Sequence, residues 1–299
     1  MSPTLALLVQ RESDIESFIS KPFYVPEITC GGFTASGEKM TERSEAEKIR
    51  MDCDHNSAFV RSVEKQVKTI QPPRLYDLTT LQRECNRIYG YTAQQTLDYV
   101  QSLYEKKLAT YPRTDSSFLT DDMEATAAGI AALLLNKLPF MQGANYTANI
   151  ARVLDSKKVS DHHAIIPTME LAKSDLAALP ESERNILTLA GVRLLTATAE
   201  PHIFEAVTAV FSCADREFTA KGKTVLCGGW KELEARYRAS LKKKPDSDDE
   251  ENALVLDVPP FTEGQRFEKP AARVTEHETT PPKPHNEDIC CERGIRNHP

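Results

Sequence analysis

Within Leu108-Ala109-Thr110-Tyr111-Pro112-Arg113-Thr114-Asp115-Ser116, a tyrosine stands two residues from an arginine inside a run of short hydroxyl and carboxylate side chains. That pairing suits a tyrosine that attacks a phosphodiester. A phenol is a weak nucleophile at neutral pH, and the phosphate under attack gains charge in the transition state, so a fixed cation beside it lowers the barrier. If Thr110 to Arg113 are extended, Tyr111 and Arg113 share a face, because side chains alternate with a period of two. The same residues also suit a Tyr-Pro-Arg-Thr turn with a solvated arginine and an aspartate capping the next helix, so the motif alone leaves both readings open. Asp115 cannot aid a phosphate by charge and reads as a residue that orients Arg113 or caps a turn.

About fifty residues on lies a second motif, Asp161-His162-His163-Ala164-Ile165-Ile166-Pro167-Thr168. A histidine can donate to a phosphate oxygen in either protonation state. Adjacent histidines in an extended segment face opposite ways and make poor joint metal ligands. Ala164 to Pro167 reads as core packing that holds His162 in place.

Together the two motifs resemble the type IA DNA topoisomerases, the bacterial topoisomerase III branch in particular. The resemblance implies that Tyr111 attacks a phosphodiester of single-stranded DNA and becomes linked to the 5′ phosphate. A 3′ hydroxyl is released that later reverses the reaction without ATP. Arg113 would then contact the scissile phosphate, His162 would assist cleavage, and Thr114 and Ser116 would shape the site at the DNA. Leu81 to Asn86 followed by Gly90 to Leu97 resembles the family's approach to its tyrosine domain. Gln82, Asn86 and Arg87 there suit either DNA-backbone contacts or solvated helix positions. Lys106 and Lys107 suit either DNA or a helix C-terminus. Tyr89, Tyr91 and Tyr99 suit base stacking or, more ordinarily, core packing.

Elements that would position these residues can be read along the chain. Residues 3–18 suit a one-sided helix that begins near Pro3. Phe23-Tyr24-Val25 and Ile28-Thr29 read as short strands, and Ser44 to Met51 as helix. Leu81 to Ile88 is helical with Gly90 as its stop, and Thr92 caps a helix whose Leu97, Val100, Leu103 and Tyr104 share one face. A further helix should start near Thr120 or Asp121 and run to Leu135, with Asp121 and Glu124 spaced as a capping box. Another spans about Glu181 to Thr196. Val207, Ala209, Phe211 and Cys213 alternate as a strand, and Asp215-Arg216 suggests a hairpin to Phe218-Thr219-Ala220.

This order of elements predicts an α+β multidomain fold. Matching the family's layout, a strand-rich arch would be interrupted by a helical winged-helix-like domain bearing the tyrosine, with remnants of a helical domain at both ends. The expected boundaries are 1–20 for a helical remnant, 21–75 for the first part of the arch, 76–199 for the tyrosine domain, 200–275 for the second part of the arch, and 276–299 for the opening of a truncated helical domain.

Composition bounds the rest. The chain has 299 residues, 37 Lys and Arg against 44 Asp and Glu, and a net charge of −7. That average hides a patch: residues 61–115 hold nine basic and six acidic side chains, while Asp246 to Glu251 gathers five acidic ones, so positive charge is segregated around the tyrosine. No run of eighteen apolar residues appears and Met1 to Val9 lacks a basic n-region, which predicts no membrane span, no secretory signal and a cytoplasmic setting. The seven cysteines are scattered without a C-x-x-C pair, against a disulfide framework or zinc ribbon.

The resemblance implies magnesium, held in the family by a Toprim domain whose ligands are absent from this sequence. Asp246-Ser247-Asp248-Asp249-Glu250 spells the D-x-D-x-E pattern of such a site, but it follows Lys242-Lys243-Lys244-Pro245 and reads as a polar acidic loop rather than preorganised ligands. The expected identity is thus a central fragment, its ends explained by a frameshifted or truncated reading frame, that acts on single-stranded or negatively supercoiled DNA. It would be inactive or weak without a Toprim domain supplied in trans. The alternative is a non-catalytic single-stranded-DNA-binding or interaction module that keeps the fold. A tyrosine recombinase or relaxase fits worse, since neither a multi-arginine set nor a His-x-His cluster is present.

Overall fold

The computed structural model describes residues 3–241 and 261–284. They divide into two compact units, one built on residues 3–69, 203–226 and 261–284, the other on 70–202 and 227–241.

The first unit is organised by a seven-stranded sheet. Helix α1 (Pro3–Glu16) precedes strands β1 (Pro22–Cys30) and β2 (Phe33–Ser36), helix α2 (Arg43–Asp54) and strand β3 (Ala58–Ile70). Later in the chain come β4 (His202–Cys213), β5 (Arg216–Cys227), β6 (Arg266–Phe267) and β7 (Ala271–Glu278), and the strand order is β6-β3-β4-β5-β2-β1-β7. Alternation along the strands sends Ile28, Cys30, Ala209, Phe211, Cys213, Phe218 and Ala220 into one core. Phe211 packs edge-on against Phe261 with ring centroids 5.2 Å apart. Helix α2 adds Ala46, Ile49 and Cys53, whose three- and four-residue spacing forms a single helical face.

Two sequence expectations change here. The short runs around Phe23 and Ile28 form one continuous strand, because Pro26 falls before the β1–β2 register begins at Glu27↔Ser36, so its missing N–H faces no partner on that side. Strand β7 runs across the expected boundary at 275, pairing Thr275 with Val25 and His277 with Phe23. The hairpin expected at Asp215-Arg216 is present, and Ala214 and Asp215 both take positive φ (49° and 58°) between β4 and β5, as a primed two-residue turn requires.

The second unit leaves from β3 and returns into β4, two neighbouring strands of the sheet. It contains α3 (Leu78–Tyr89), α4 (Ala93–Glu105), α5 (Glu124–Lys137), α6 (Glu181–Thr198) and α7 (Trp230–Ser240). Helix α4 starts at the expected Thr92, whose side chain accepts from Gln95 N while Gln95 Oε1 accepts from Thr92 N (3.1 and 3.0 Å). Helix α3 starts with a similar box formed by Asp77 and Thr80 and ends at Gly90 in the left-handed region (φ 74°). Helix α6, apolar around most of its circumference, is the central helix, with Leu187, Ala190, Leu194 and Leu195 among its buried residues.

The capping box expected from Asp121 and Glu124 does not form. Asp121 opens a short 3₁₀ turn instead, and its carboxylate accepts from Ser156 Oγ at 2.7 Å, which leaves α5 to begin at Glu124. Helix α7 lies inside the span expected to be arch. Its Leu233 and Tyr237 are buried in the core of the tyrosine unit. The five described cysteines all carry free thiols. Among the described residues no helix is long and apolar enough to cross a membrane.

Candidate functional site

The residues around Tyr111 are fixed by backbone pairing between sequence-distant segments. Thr110 N donates to Ile166 O at 3.0 Å and Thr168 N to Leu108 O at 3.0 Å, which lays 108–110 against 166–168. The same run is tied on its other sides, with Ile165 N donating to Tyr76 O (2.8 Å) and Ala164 N to Phe118 O (2.9 Å). Ala164 to Pro167 are all buried, as the apolar composition of the second motif predicts. The Thr110 hydroxyl completes the junction by donating to Ala164 O (2.9 Å) and accepting from Ile166 N (3.0 Å).

From Tyr111 the chain alternates in burial. Pro112, Thr114 and Ser116 point inward and are buried, while Tyr111 is half-buried and Arg113 and Asp115 are exposed. Tyr111, Arg113 and Asp115 therefore share the outward side, as the extended reading requires. The inward hydroxyls hold the segment in place. Thr114 Oγ1 donates to His162 O at 2.8 Å and accepts from Ser116 N at 3.1 Å, and Ser116 Oγ donates to Lys158 O at 2.9 Å. The Thr114 bond draws the His162 backbone to the tyrosine segment.

The two motifs meet ring to ring. The Tyr111 and His162 centroids lie 4.3 Å apart with planes tilted by 45°, and Tyr104 packs edge-on against the other part of Tyr111 at 5.3 Å. His163 turns away and sets Nδ1 3.0 Å from Ala164 O, so the two histidines do not act on one ligand. Arg113 has no hydrogen bond or ion pair among the described residues and is exposed. The Asp115 carboxylate accepts from Ser160 Oγ at 3.3 Å. It pins the loop before His162 and does not orient Arg113.

Other tyrosines of this unit are unsuited to attack. Burial pushes the Tyr76 phenol well above its ordinary range, an effect only partly opposed by Arg193, and the phenols of Tyr89 and Tyr237 are raised by burial while bonded to each other. Tyr89 stacks on Tyr91 (5.2 Å) and Tyr91 meets Tyr99 edge-on (5.5 Å); these rings pack against the core and not outward for bases.

The remaining expected contacts divide. Gln82 Nε2 donates to Ala93 O (2.9 Å) and Asn86 Nδ2 to Tyr91 O (3.1 Å), so both amides brace the α3–α4 turn. Thr114 and Ser116 commit their hydroxyls to the loop as described. Arg87 is exposed and bonds Glu84 at 2.6 Å. Lys106 pairs with the buried Glu183 at 2.6 Å, while Lys107, with φ 61°, is exposed and its carbonyl accepts from Thr168 Oγ1. Thr110, Ser160 and Tyr104 were not singled out by sequence. Only their closeness to Tyr111 or His162 along the chain could have flagged them.

Among the described residues no group of three or more His, Cys, Asp or Glu side chains is placed to hold a metal ion. Against Tyr111 stand the His162 imidazole and the Tyr104 ring, Arg113 shares its side of the segment, and the carboxylate on that side, Asp115, accepts from a serine. This donor set does not fit magnesium, which takes oxygen ligands. Asp246 to Glu250 lies outside the described residues.

Comparison with known proteins converges on one group. A family model described as DNA topoisomerase matches residues 1–289. The chain is 34% identical to a DNA topoisomerase 3 of Bacillus licheniformis over 96% of its own length and 40% of the relative's. To a DNA topoisomerase 3 of Bacillus subtilis it is 32% identical, over 92% and 40%. It thus spans about two fifths of the length of these curated relatives. In three dimensions it superposes on full-length topoisomerase I from Thermotoga maritima with a TM-score of 0.71 at 22% identity, covering 98% of this chain and 46% of the other.

Proposed function

The chain belongs to the type IA DNA topoisomerases, and we propose that its part in their chemistry is transient cleavage and rejoining of a single DNA strand through Tyr111. The observation that carries this reading is the meeting of the two motifs, Tyr111 against His162 at 4.3 Å with Arg113 outward and unpaired. The Tyr111 oxygen attacks phosphorus, the bond from phosphorus to the 3′ oxygen breaks, and the strand is held as a 5′-phosphotyrosine. The phenol gives up its proton and the departing 3′ oxygen takes one up. Arg113 offsets the charge that gathers on the non-bridging oxygens, and His162 donates to the same phosphate. Because one phosphodiester is exchanged for another of similar energy, the 3′ hydroxyl reverses the step. The substrate is single-stranded or negatively supercoiled DNA, and the setting is cytoplasmic.

The reading includes a partner. Magnesium in this chemistry screens phosphate charge, and the residues described here do not supply its ligands, so residues 1–299 alone should relax negatively supercoiled DNA little or not at all. A Toprim domain in trans would complete the site. The same lack of fitting ligands favours, as second reading, a single-stranded-DNA-binding module that does not cleave.

An end-labelled single-stranded oligonucleotide on a denaturing gel separates the two. With a separately made Toprim domain and magnesium, the wild-type chain should yield a covalent band that Tyr111→Phe abolishes while binding is retained. No band under any condition, with binding intact, would leave only the second reading. Relaxation by the chain alone would remove the need for a partner.

A further inference from the structure

The tyrosine unit contains a cavity that the proposed nucleophile does not use. It measures about 470 Å³ and is walled by the segment from Arg74 to Asp77, by α3, by Ser117 and by Arg193 of α6. Four arginines line it, Arg74, Arg83, Arg87 and Arg193, against two carboxylates, Asp77 and Glu84. Both carboxylates are already engaged. Asp77 accepts from Thr80 N and Oγ1 (2.7 and 2.8 Å) as the cap of α3, and Glu84 accepts from Arg87 at 2.6 Å.

Two of the cations form no ion pair among the described residues, although the charges of Glu84 and Glu234 act on Arg193. Arg74 stands over the Phe118 ring, 5.5 Å from its centroid, with no hydrogen bond or ion pair among the described residues. Arg193 is half-buried, lies 4.1 Å over the Tyr76 ring and donates to Tyr76 Oη at 2.7 Å. A guanidinium carries five N–H donors, so most of those on Arg193 remain for something else. An anion in the cavity would meet the open donors of both guanidiniums at once. Ser117, whose hydroxyl has no partner among the described residues, adds a neutral donor to the same wall.

We propose that this cavity is a phosphate-ester site in which Arg74 and Arg193 make the principal contacts and Arg87 stands at the rim. The planar fork of arginine matches phosphate oxygens two at a time, and the volume is that of a small-molecule site. Ser117 follows Tyr111 by six residues, which limits their separation to about 20 Å along the chain. The phosphate therefore comes either from the strand that Tyr111 engages, at a position away from the cut, or from a free phosphate compound. The first source rests on the proposed function, whereas the anion site does not.

Arginine labelling by phenylglyoxal, mapped by peptide mass spectrometry on the full 299-residue chain, tests this with oligothymidylate, inorganic pyrophosphate or neither present. Arg74 and Arg193 should be shielded severalfold by at least one anion, with Arg216 at the β4–β5 turn unaffected as control. Shielding by oligothymidylate assigns the strand, and shielding by pyrophosphate alone assigns a free phosphate compound. No shielding by either overturns the site. Because Arg74 is exposed, Arg74→Gln should leave the fold intact and, for a strand ligand, lower the slope of log affinity against log salt by about one. An unchanged slope with oligothymidylate shielding would overturn Arg74 as a phosphate contact. Tyr111→Phe should keep the shielding, so a chain that forms no covalent band yet is shielded would defeat the nucleophile and not the cavity.

Discussion

Four surface cations of the sheet face carboxylates, whereas in the tyrosine unit two arginines beside the tyrosine and the cavity face none among the described residues. Arg61 meets Glu217, Lys65 lies 3.3 Å from Glu205, Arg266 2.9 Å from Glu268 and Arg273 2.8 Å from Glu27. In the tyrosine unit Lys106, Lys158 and Arg87 have acidic partners, but Arg113 beside the tyrosine and Arg74 at the cavity have none among the described residues. A neutralised pair on a strand can serve as scaffold and offers no open charge to a ligand. Unpaired guanidiniums on a rigid unit are poised for an anion that comes from outside, which is how a chain of net charge −7 can still attract a phosphate locally.

If that contrast is functional, the largest effect should follow from removing the cation nearest the chemistry. Arg113→Ala is expected to slow formation of the covalent band by about 10²–10³-fold, the loss typical for one donor aimed at developing charge. Thermal stability should be nearly unchanged, since no folded partner is lost. Arg113→Lys should recover only part of the rate, because an ammonium cannot bind two oxygens in one plane. A rate for Arg113→Ala close to wild type, measured with the Toprim domain present, would reduce Arg113 to a solvated side chain.

Next in size is a change to the frame of the tyrosine unit. Gly229 holds φ +52° at the start of α7, and a Cβ there would lie 2.3 Å from Pro201 O, backbone that cannot yield cheaply. Gly229→Ala should cost about 3 kcal/mol, the upper end for a strained position, and appear as a lowered thermal midpoint. An unshifted midpoint would mean that α7 does not matter to the unit's stability.

How far sequence reached differs between the two units for physical reasons. The two motifs were legible because a tyrosine-arginine pair and a histidine before an apolar run are chemically unusual, and because burial of Ala164 to Pro167 follows from composition. Thr92 and Gly90 were legible because caps have narrow chemistry. Helix α7 was not: only Leu233 and Tyr237 are buried in it, too few to set a period, and strands flank it. Asp121 misled because its spacing to Glu124 cannot reveal that Ser156, 35 residues on, takes its carboxylate. Thr114 and Ser116 expose a more general difficulty. A hydroxyl near a nucleophile reads alike whether it faces DNA or a carbonyl of its own chain, and only the fold brings His162 O and Lys158 O within reach.

Thr114 gives the next test. Thr114→Val keeps the shape but leaves the buried Ser116 N and the part-buried His162 O without their partner, a loss of about 1–3 kcal/mol. Because the bond also sets the His162 backbone against the tyrosine segment, covalent-band formation should fall at temperatures where the variant remains fully folded. A stability loss with an unchanged rate would show that His162 is held by Ala164 to Pro167 alone.

The smallest effect is expected on the sheet, and its smallness is what completes the contrast. Arg61 and Glu217 form an ion pair with side chains 63% and 57% exposed, where water screens the attraction and holding two long side chains costs entropy. Arg61→Ala should change stability by less than about 1 kcal/mol, a shift of a few degrees at most in the thermal midpoint, and leave both covalent-band formation and oligothymidylate binding at wild-type levels. The last condition is the sharper one. Arg61 carries the same charge as Arg74, but its partner already neutralises it, so its removal exposes Glu217 and takes away no open cation. If Arg61→Ala weakened oligothymidylate binding as much as Arg74→Gln, the pairing of a cation with a carboxylate would not distinguish scaffold from binding surface, and the strand that carries Arg61 would have to be counted among the surfaces that contact DNA.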